Sequence, residues 1–264
     1  MDFELQGKRA LVSGSTAGIG WAIAAGLAGE GAEVVLNGRT EARVQAAVAQ
    51  VRARHPGARV RGIAADLGSA EGCARVVREL AEVDVLVNNL GIFAAVPFED
   101  ISDAEWMRFF EVNVLSGVRL ARAYLPGMKA RNWGRILFIS SESALQIPVE
   151  MIHYGTTKTA QLAVSRGLAE TTRGTGVTVN AILAGPTRSE GVEAFVEGLG
   201  AQQGVSPAQV ERDFFSTARP TSLLQRFATP EEVAALVAFV ASGPASAVNG
   251  AALRVDGGVV RAIV

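Results

Sequence analysis

Short runs of mostly apolar, often β-branched residues alternate with longer helix-patterned segments along this 264-residue chain. Strands that are apolar on both faces need helices on both faces, and a helix between successive strands makes those strands parallel. The pattern therefore predicts an α/β fold with a doubly wound, seven-stranded parallel sheet. The expected strands lie at residues 9–12, 33–36, 59–64, 83–87, 135–139, 177–182 and 253–255.

The alternation stops between the sixth and seventh expected strands, where glycines and prolines surround short apolar pieces. Within this stretch, Ser206 and Pro207 carry the residues of a helix start. The stretch follows the carboxyl end of a strand, where open α/β sheets bind ligands. We expect residues 186–227 to form a helical lid over a substrate site; the alternative is a surface insertion. With no linker or internal repeat, the sequence predicts one domain over 1–264.

Charge and cysteine content restrict the class of protein. The 25 Lys and Arg residues nearly balance 26 Asp and Glu residues, and no basic tract indicates nucleic-acid binding. Cys73 is the single cysteine, which fits a reducing compartment. Residues 1–6 do not resemble a signal peptide, and the longest apolar run is too short to span a bilayer. We expect a cytoplasmic protein with no nucleic-acid or membrane partner and, lacking a clustered ligand set, no catalytic metal.

A glycine-rich loop, Ser13–Trp21, connects the first expected strand to the first helix. Gly14, Gly18 and Gly20 allow a tight turn and let the backbone approach a ligand closely. The following helix presents unpaired N–H groups and a positive dipole end, which favour a phosphate. The loop therefore predicts a dinucleotide site; the alternative is a turn needed only for packing.

Tyr154 lies four positions before Lys158 in a helix-patterned segment. Positions i and i+4 share one face of a helix, so the phenol and the ammonium should project side by side. A nearby cation favours phenolate, so we expect Lys158 to lower the pKa of Tyr154 toward the range of a general acid/base. The alternative is an unrelated pair on the surface.

Taken in order, these motifs resemble the short-chain dehydrogenase/reductase family, from Gly7 to Gly258. The loop spacing Gly-x-x-x-Gly-x-Gly is that family's spacing. Further matching segments are Asp66-Leu67, Asn88-Asn89-Leu90-Gly91, Asn113, Ser141 thirteen residues before Tyr154, and Asn180–Ser189. The chain departs from the family where Leu90 replaces an alanine, Ala184 a proline and Ser189 a threonine.

The resemblance implies a Rossmann fold and hydride transfer between a nicotinamide and a carbonyl or secondary alcohol. It implies that Tyr154 is the general acid/base and that Lys158 activates it and holds the nicotinamide ribose. Ser141, rather than its neighbours Ser140 and Ser143, would donate to the substrate oxygen. Asn113, in a distorted part of a long helix, would hold a water that links Lys158 to solvent.

The resemblance also implies a set of cofactor contacts. An NAD enzyme of this family usually has an acid at the end of the second strand, where this chain has Gly38 followed by Arg39. A guanidinium suits a 2′-phosphate, so we expect NADP(H), with NAD less favoured and a solvated Arg39 as the alternative. The expected contacts are Gly14, Ser15, Thr16, Gly18, Ile19, Gly20, Arg39, Asp66, Leu67, Asn88, Gly91, Tyr154, Lys158, Gly185, Thr187 and Ser189.

The sequence thus predicts an NADP(H)-dependent oxidoreductase for a small carbonyl or alcohol substrate, resembling most the branch of 3-oxoacyl-thioester reductases. One alternative is an NAD-linked alcohol dehydrogenase of the sugar or steroid type. Another is a nucleotide-sensing protein without catalysis on the same fold. The resemblance implies assembly into homotetramers or homodimers.

Overall fold

Seven parallel strands form one sheet in the order β3-β2-β1-β4-β5-β6-β7 in the computed structural model, which describes residues 2–263 and only the main chain of Phe195. The predicted doubly wound parallel sheet is confirmed. The single domain over 1–264 stays a prediction, and its end residues Met1 and Val264 lie outside the described residues. The strands are β1 (Arg9–Val12), β2 (Glu33–Gly38), β3 (Val60–Ala64), β4 (Val85–Asn88), β5 (Gly134–Ser141), β6 (Val177–Ala184) and β7 (Ala252–Val255).

Helices cover both faces of this sheet, because alternate strand residues point to opposite sides. Ala10 and Val12 of β1 join one apolar core, and Leu11 between them joins the other. The first core includes side chains of α1, α2 and α9, and the second includes those of α3, α5 and α6. The helices are α1 (Gly18–Gly29), α2 (Glu41–Arg54), α3 (Ala70–Glu79), α4 (Asp103–Phe110), α5 (Ser116–Ala130), α6 (Ile152–Glu170), α7 (Glu190–Gln203), α8 (Pro207–Thr217) and α9 (Pro230–Val240).

The long helix expected to carry Asn113 is interrupted by one π-helical turn, Glu111–Leu115, between α4 and α5. Such turns are rare and cluster at functional sites. Asn113 lies in the turn, and its amide is bonded to the backbone of Ile92 in the loop after β4. The expected distortion of this helix is therefore confirmed.

Two helices, α7 and α8, occupy the stretch between β6 and α9, and we keep the name lid for residues 186–227. Ser206 caps α8 by accepting a hydrogen bond from the backbone of Gln209, as predicted. The lid has an apolar cluster of its own, formed by Val196, Val210, Phe215 and Phe227. Among the described residues, no helix is long and apolar enough to cross a membrane.

Candidate active site

The glycine loop turns tightly at the carboxyl ends of β1 and β4, beside the point where the strand order reverses. Gly14 and Gly18 have φ angles of +59° and +55°, a region that favours glycine. A Cβ atom on Gly20 would overlap the amide of Asn89 and lie 2.5 Å from the carbonyl oxygen of Gly14. The three glycines are therefore required by backbone conformation or close contact.

The first turn of α1 leaves its amides without a side-chain cap. Ala17 precedes this helix, and its methyl side chain cannot accept a hydrogen bond. The first N–H groups of α1 therefore have no side-chain acceptor. Five other helices begin with a hydroxyl that accepts such a bond: those capped by Ser69, Ser102, Ser189, Ser206 and Thr229. An uncapped helix start beside a glycine loop fits a phosphate group of a dinucleotide.

Asn88 and Asn89 have different environments at the end of β4. The Asn89 amide donates to the carbonyl oxygens of Ser13 and Gly14, both at 3.0 Å, and so holds the loop. Asn88 is only 3% exposed, and neither atom of its amide has a hydrogen-bond partner among the described residues. Buried polar groups are nearly always paired, so this amide fits a polar ligand at the same edge of the sheet.

The expected cofactor contacts after β2 and β3 differ in accessibility. Arg39 is exposed and has no ion pair within the described chain. A Cβ atom on Gly38 would overlap the methyl group of Thr16, so packing disfavours an acidic side chain there.

The two expected contacts after β3 are Asp66 and Leu67. Leu67 is 1% exposed and packs in the core, so its side chain is not available to a ligand; only its backbone is. Asp66 is exposed and accepts a hydrogen bond from the backbone of Gly68.

The three expected contacts after β6 connect the sheet to the lid. Thr187 is buried, and its hydroxyl donates to the carbonyl of Gly185 at 2.9 Å. Ser189 caps α7 by accepting from the backbone of Val192, a role that the sequence analysis missed. A Cβ atom on Gly18 would lie 3.3 Å from the Cβ of Ser189. The start of the lid therefore lies against the glycine loop.

Ser141 and Tyr154 come together where β5 ends and α6 begins. Ser141 is the last residue of β5, and its side chain lowers the pKa of the neighbouring Tyr154 phenol. Ser140 is committed elsewhere, because its hydroxyl donates to the backbone carbonyl of Lys158 at 2.9 Å. Phe93 packs edge-to-face on the tyrosine ring at 6.3 Å. Of the three neighbouring serines, Ser141 is the one that affects the pKa of the phenol.

Lys158 lies on the same face of α6, with its Nζ 5.6 Å from the centre of the Tyr154 ring. The prediction that it lowers the pKa of the phenol is wrong for this structure. Burial raises the pKa of Tyr154, the Glu142 carboxylate raises it further, and Ser141 and Arg219 lower it. Burial also lowers the pKa of Lys158 to about 8, so its positive charge is itself disfavoured. Its Nζ donates to the backbone carbonyl of Ile139 at 2.9 Å.

Asn113 lies close to this lysine. Its amide donates to the Ile92 carbonyl and to the Thr157 hydroxyl, both at 3.0 Å, and its backbone carbonyl accepts from Gln161 at 2.6 Å. These bonds fix the loop after β4 against α6. The expected role of Asn113 in holding a water stays a prediction. Among the described residues, no group of three or more His, Cys, Asp or Glu side chains is arranged to hold a metal ion.

The lowered pKa of Lys158 predicts a pH dependence of stability. The pKa rises from about 8 in the folded protein to 10.5 in the unfolded chain, so the unfolded chain binds more protons between these values. The contribution of this group to the free energy of unfolding therefore increases with pH across that window. We expect Lys158→Met to be more stable than the wild type at pH 7, by up to about 3 kcal/mol, and this advantage to shrink by pH 10. Urea unfolding of both proteins from pH 7 to 10 measures the difference; a constant difference would contradict the assignment.

The sequence is similar to those of known proteins over nearly its whole length. The family model described as enoyl-(acyl carrier protein) reductase matches residues 14–260. Uncharacterized oxidoreductase YvaG of Bacillus subtilis is 49% identical, covering 100% of both chains. The 3-oxoacyl-[acyl-carrier-protein] reductase FabG of Aquifex aeolicus is 32% identical, over 98% of this chain and 100% of its own.

The fold comparison agrees with these sequence matches. The structure of L-sorbose reductase from Gluconobacter frateurii, complexed with NADPH and L-sorbose, gives a TM-score of 0.93 at 32% identity and covers 100% of both chains. The family model, full-length relatives and the fold all lead to the same assignment. The chain belongs to the short-chain dehydrogenase/reductase family, whose members are NAD(P)-dependent oxidoreductases acting on alcohol or carbonyl groups.

Proposed function

We propose that this protein is an NADP(H)-dependent reductase that interconverts a ketone and a secondary alcohol, with Tyr154 as the general acid/base. The observation that carries the proposal is that Lys158 Nζ lies 5.6 Å from the centre of the Tyr154 ring, with Ser141 near enough to lower the pKa of the same phenol. These side chains lie at the carboxyl edge of the sheet, the edge that also carries the glycine loop. Open α/β sheets bind their ligands at this edge.

The residues that would hold a dinucleotide are the loop glycines, the first turn of α1, the Asn88 amide and Lys158. When bound, the nicotinamide supplies or accepts the hydride. Tyr154 then donates a proton to the substrate oxygen during reduction and removes one during oxidation. Ser141 stabilises the negative charge that develops on that oxygen. Lys158 orients the ribose, and Asn113 keeps the adjoining loop in place.

Arg39 supports the choice of NADP(H) over NAD(H). Its exposed guanidinium has no partner within the described chain, and it follows a glycine that leaves no room for an acidic side chain. The L-sorbose reductase with which the fold superposes was solved with NADPH. A guanidinium binds a phosphate dianion through both charge and forked geometry.

Replacing Arg39 with alanine should raise the KM for NADPH about 10- to 100-fold, because a charge-assisted contact worth about 1.5–3 kcal/mol is lost. The KM for NADH should change less than about twofold, since NADH has no 2′-phosphate. Steady-state kinetics with both cofactors measure the two values. Arg43→Ala is a matched control, because Arg43 pairs with Glu190 on the surface instead. An unchanged KM for NADPH in Arg39→Ala would favour the NAD-linked alternative.

Oxidation of NADPH, followed at 340 nm with a panel of ketones, tests the reaction itself. The panel should contain an acetoacetyl thioester, L-sorbose and cyclohexanone, because the relatives named above include a 3-oxoacyl reductase and a sugar reductase. Turnover of one of them supports the proposal. Tight NADPH binding with no turnover of any ketone would favour a nucleotide sensor. A cytoplasmic location and a homotetrameric or homodimeric assembly stay predictions.

A further inference from the structure

A buried carboxylate follows the serine of the site directly in sequence. Glu142 is 4% exposed, and its Oε1 accepts from the Nε of Arg219 at 3.0 Å. Arg219 is 8% exposed. Burial of a carboxylate is costly unless it is paired, and Arg219 provides that pairing here. The remaining carboxylate oxygen, Oε2, accepts the hydrogen of the Ser141 hydroxyl.

This contact restricts what Ser141 can do. A hydroxyl group has one hydrogen, so while Ser141 donates to Glu142 it can only accept at its remaining positions. One lone pair already accepts from the backbone N–H of Ser143 at 3.1 Å. The Tyr154 phenol lies beside this serine, which lowers the pKa of the phenol. The hydrogen-bonded groups therefore form a chain that runs from Ser141 through Glu142 to Arg219, beside the Tyr154 phenol.

Arg219 belongs to the lid. It follows α8, its backbone N–H donates to the carbonyl of Phe214 at 3.0 Å, and its guanidinium lies 5.9 Å from the centre of that aromatic ring. Phe214 packs against the apolar cluster of the lid. A second ion pair joins the lid to the rest of the chain, between Arg43 of α2 and Glu190 of α7. Both of its side chains are largely exposed, so solvent weakens it. Glu142 with Arg219 is thus a buried ionic connection between the lid and the serine.

We propose that Glu142 and Arg219 are positioning residues that direct the hydroxyl hydrogen of Ser141 and couple this direction to the seating of the lid. The inference rests on the proposed function, in which Ser141 and Tyr154 handle the substrate oxygen. With Arg219 in place, the carboxylate shares its charge with the guanidinium and holds Ser141 less strongly. Without Arg219, the carboxylate competes fully for the serine hydrogen that a substrate oxygen needs.

Four charged or titratable groups face Tyr154 and this chain of contacts. They are Glu142 after β5, Glu150 before α6, Lys158 within α6 and Arg219 from the lid. The Glu142 carboxylate raises the pKa of Tyr154 and the Arg219 guanidinium lowers it. Removing the Glu142 carboxylate should therefore lower the pKa of the phenol, and removing the Arg219 guanidinium should raise it.

The test compares Glu142→Gln, Arg219→Met and the double variant. Glu150→Gln is the matched control, because Glu150 approaches the same guanidinium at 3.6 Å but its side chain is 47% exposed. The chain has two tyrosines, so a Tyr124→Phe background leaves Tyr154 as the sole source of phenolate absorbance at 295 nm. The second measurement is kcat and KM against pH, for the ketone of the panel that the wild type reduces fastest.

In Glu142→Gln the phenol midpoint should be lower, so ketone reduction should begin to fall at a lower pH than in the wild type. In Arg219→Met the midpoint should be higher, so reduction should begin to fall at a higher pH. The kcat of Arg219→Met should also be at least about tenfold lower than that of the wild type. The double variant should recover most of the kcat lost in Arg219→Met. Glu150→Gln should stay within about twofold of the wild type, since exposed pairs contribute little.

A merely structural pair would behave differently. The losses in kcat would still be less than multiplicative, because the two residues are in contact, but the phenol midpoint and the pH dependence of kcat would not move in opposite directions. That result overturns the inference, and so would losses that multiply in the double variant. If the wild type reduces no ketone, the proposed function fails instead, and the titration at 295 nm still decides whether the pair acts on Tyr154.

Discussion

Tyr154→Phe should reduce kcat for ketone reduction about 10³-fold, because the variant has no proton to give to the substrate oxygen. The ring and its packing against Phe93 are kept, so the fold should not change. The Kd for NADPH, measured by fluorescence titration, should stay within about threefold of the wild type, since the phenol contributes chemistry rather than most of the binding energy.

Tyr124→Phe is the matched control for this prediction. Tyr124 lies within α5, is buried and donates to the backbone carbonyl of Leu80, which follows α3. Its loss should cost about 1 kcal/mol of stability and leave kcat unchanged. If Tyr154→Phe retained more than about a tenth of the wild-type kcat, Tyr154 would not be the general acid.

Gly20→Ala should abolish most of the affinity for NADPH. The added methyl group would overlap the Asn89 amide and lie 2.5 Å from the Gly14 carbonyl, so it would displace the contact that holds the glycine loop. Overpacking of this kind costs about 1–3 kcal/mol of folding free energy. We expect a Kd for NADPH at least about 100-fold higher, because the loop and the first turn of α1 lose their alignment. Fluorescence titration and urea unfolding measure the two effects.

The same substitution six residues further along α1 should have the opposite sign. A Cβ atom on Gly26 would meet only the Cβ of Ala234, at 3.9 Å, which is an ordinary contact. Gly26→Ala should therefore stabilise the protein by about 0.5–1 kcal/mol, as alanine does within a helix, with NADPH affinity unchanged. Equal NADPH affinity in the two variants would show that the loop is not the phosphate site.

Much of the fold could be predicted because its signals are local. The apolar strands and the helix start at Ser206 follow from residues that are neighbours in sequence. The distortion at Asn113 was expected from the family resemblance, and the π-helical turn confirms it. The place of Leu67 in the core was not predicted, because the motif that contains it does not show which way a side chain after a strand points.

The electrostatics of the site could not be read from spacing. Tyr154 and Lys158 share a helix face as i and i+4 require, yet burial and the Glu142 carboxylate raise the pKa of the phenol. Arg219 is 77 residues from its partner Glu142, and no pattern in the sequence connects them. Only the folded chain shows which charge is buried beside the phenol.

The amino-acid sequence by itself determined the parallel sheet, the glycine loop and the residues that identify the family, since periodicity, turn chemistry and motif order are properties of neighbouring residues. The tertiary structure alone decided how deeply those side chains are buried and which distant charges lie against them. Desolvation and Coulomb energy depend on distances in space, and these are set when the lid, β5 and α6 pack together.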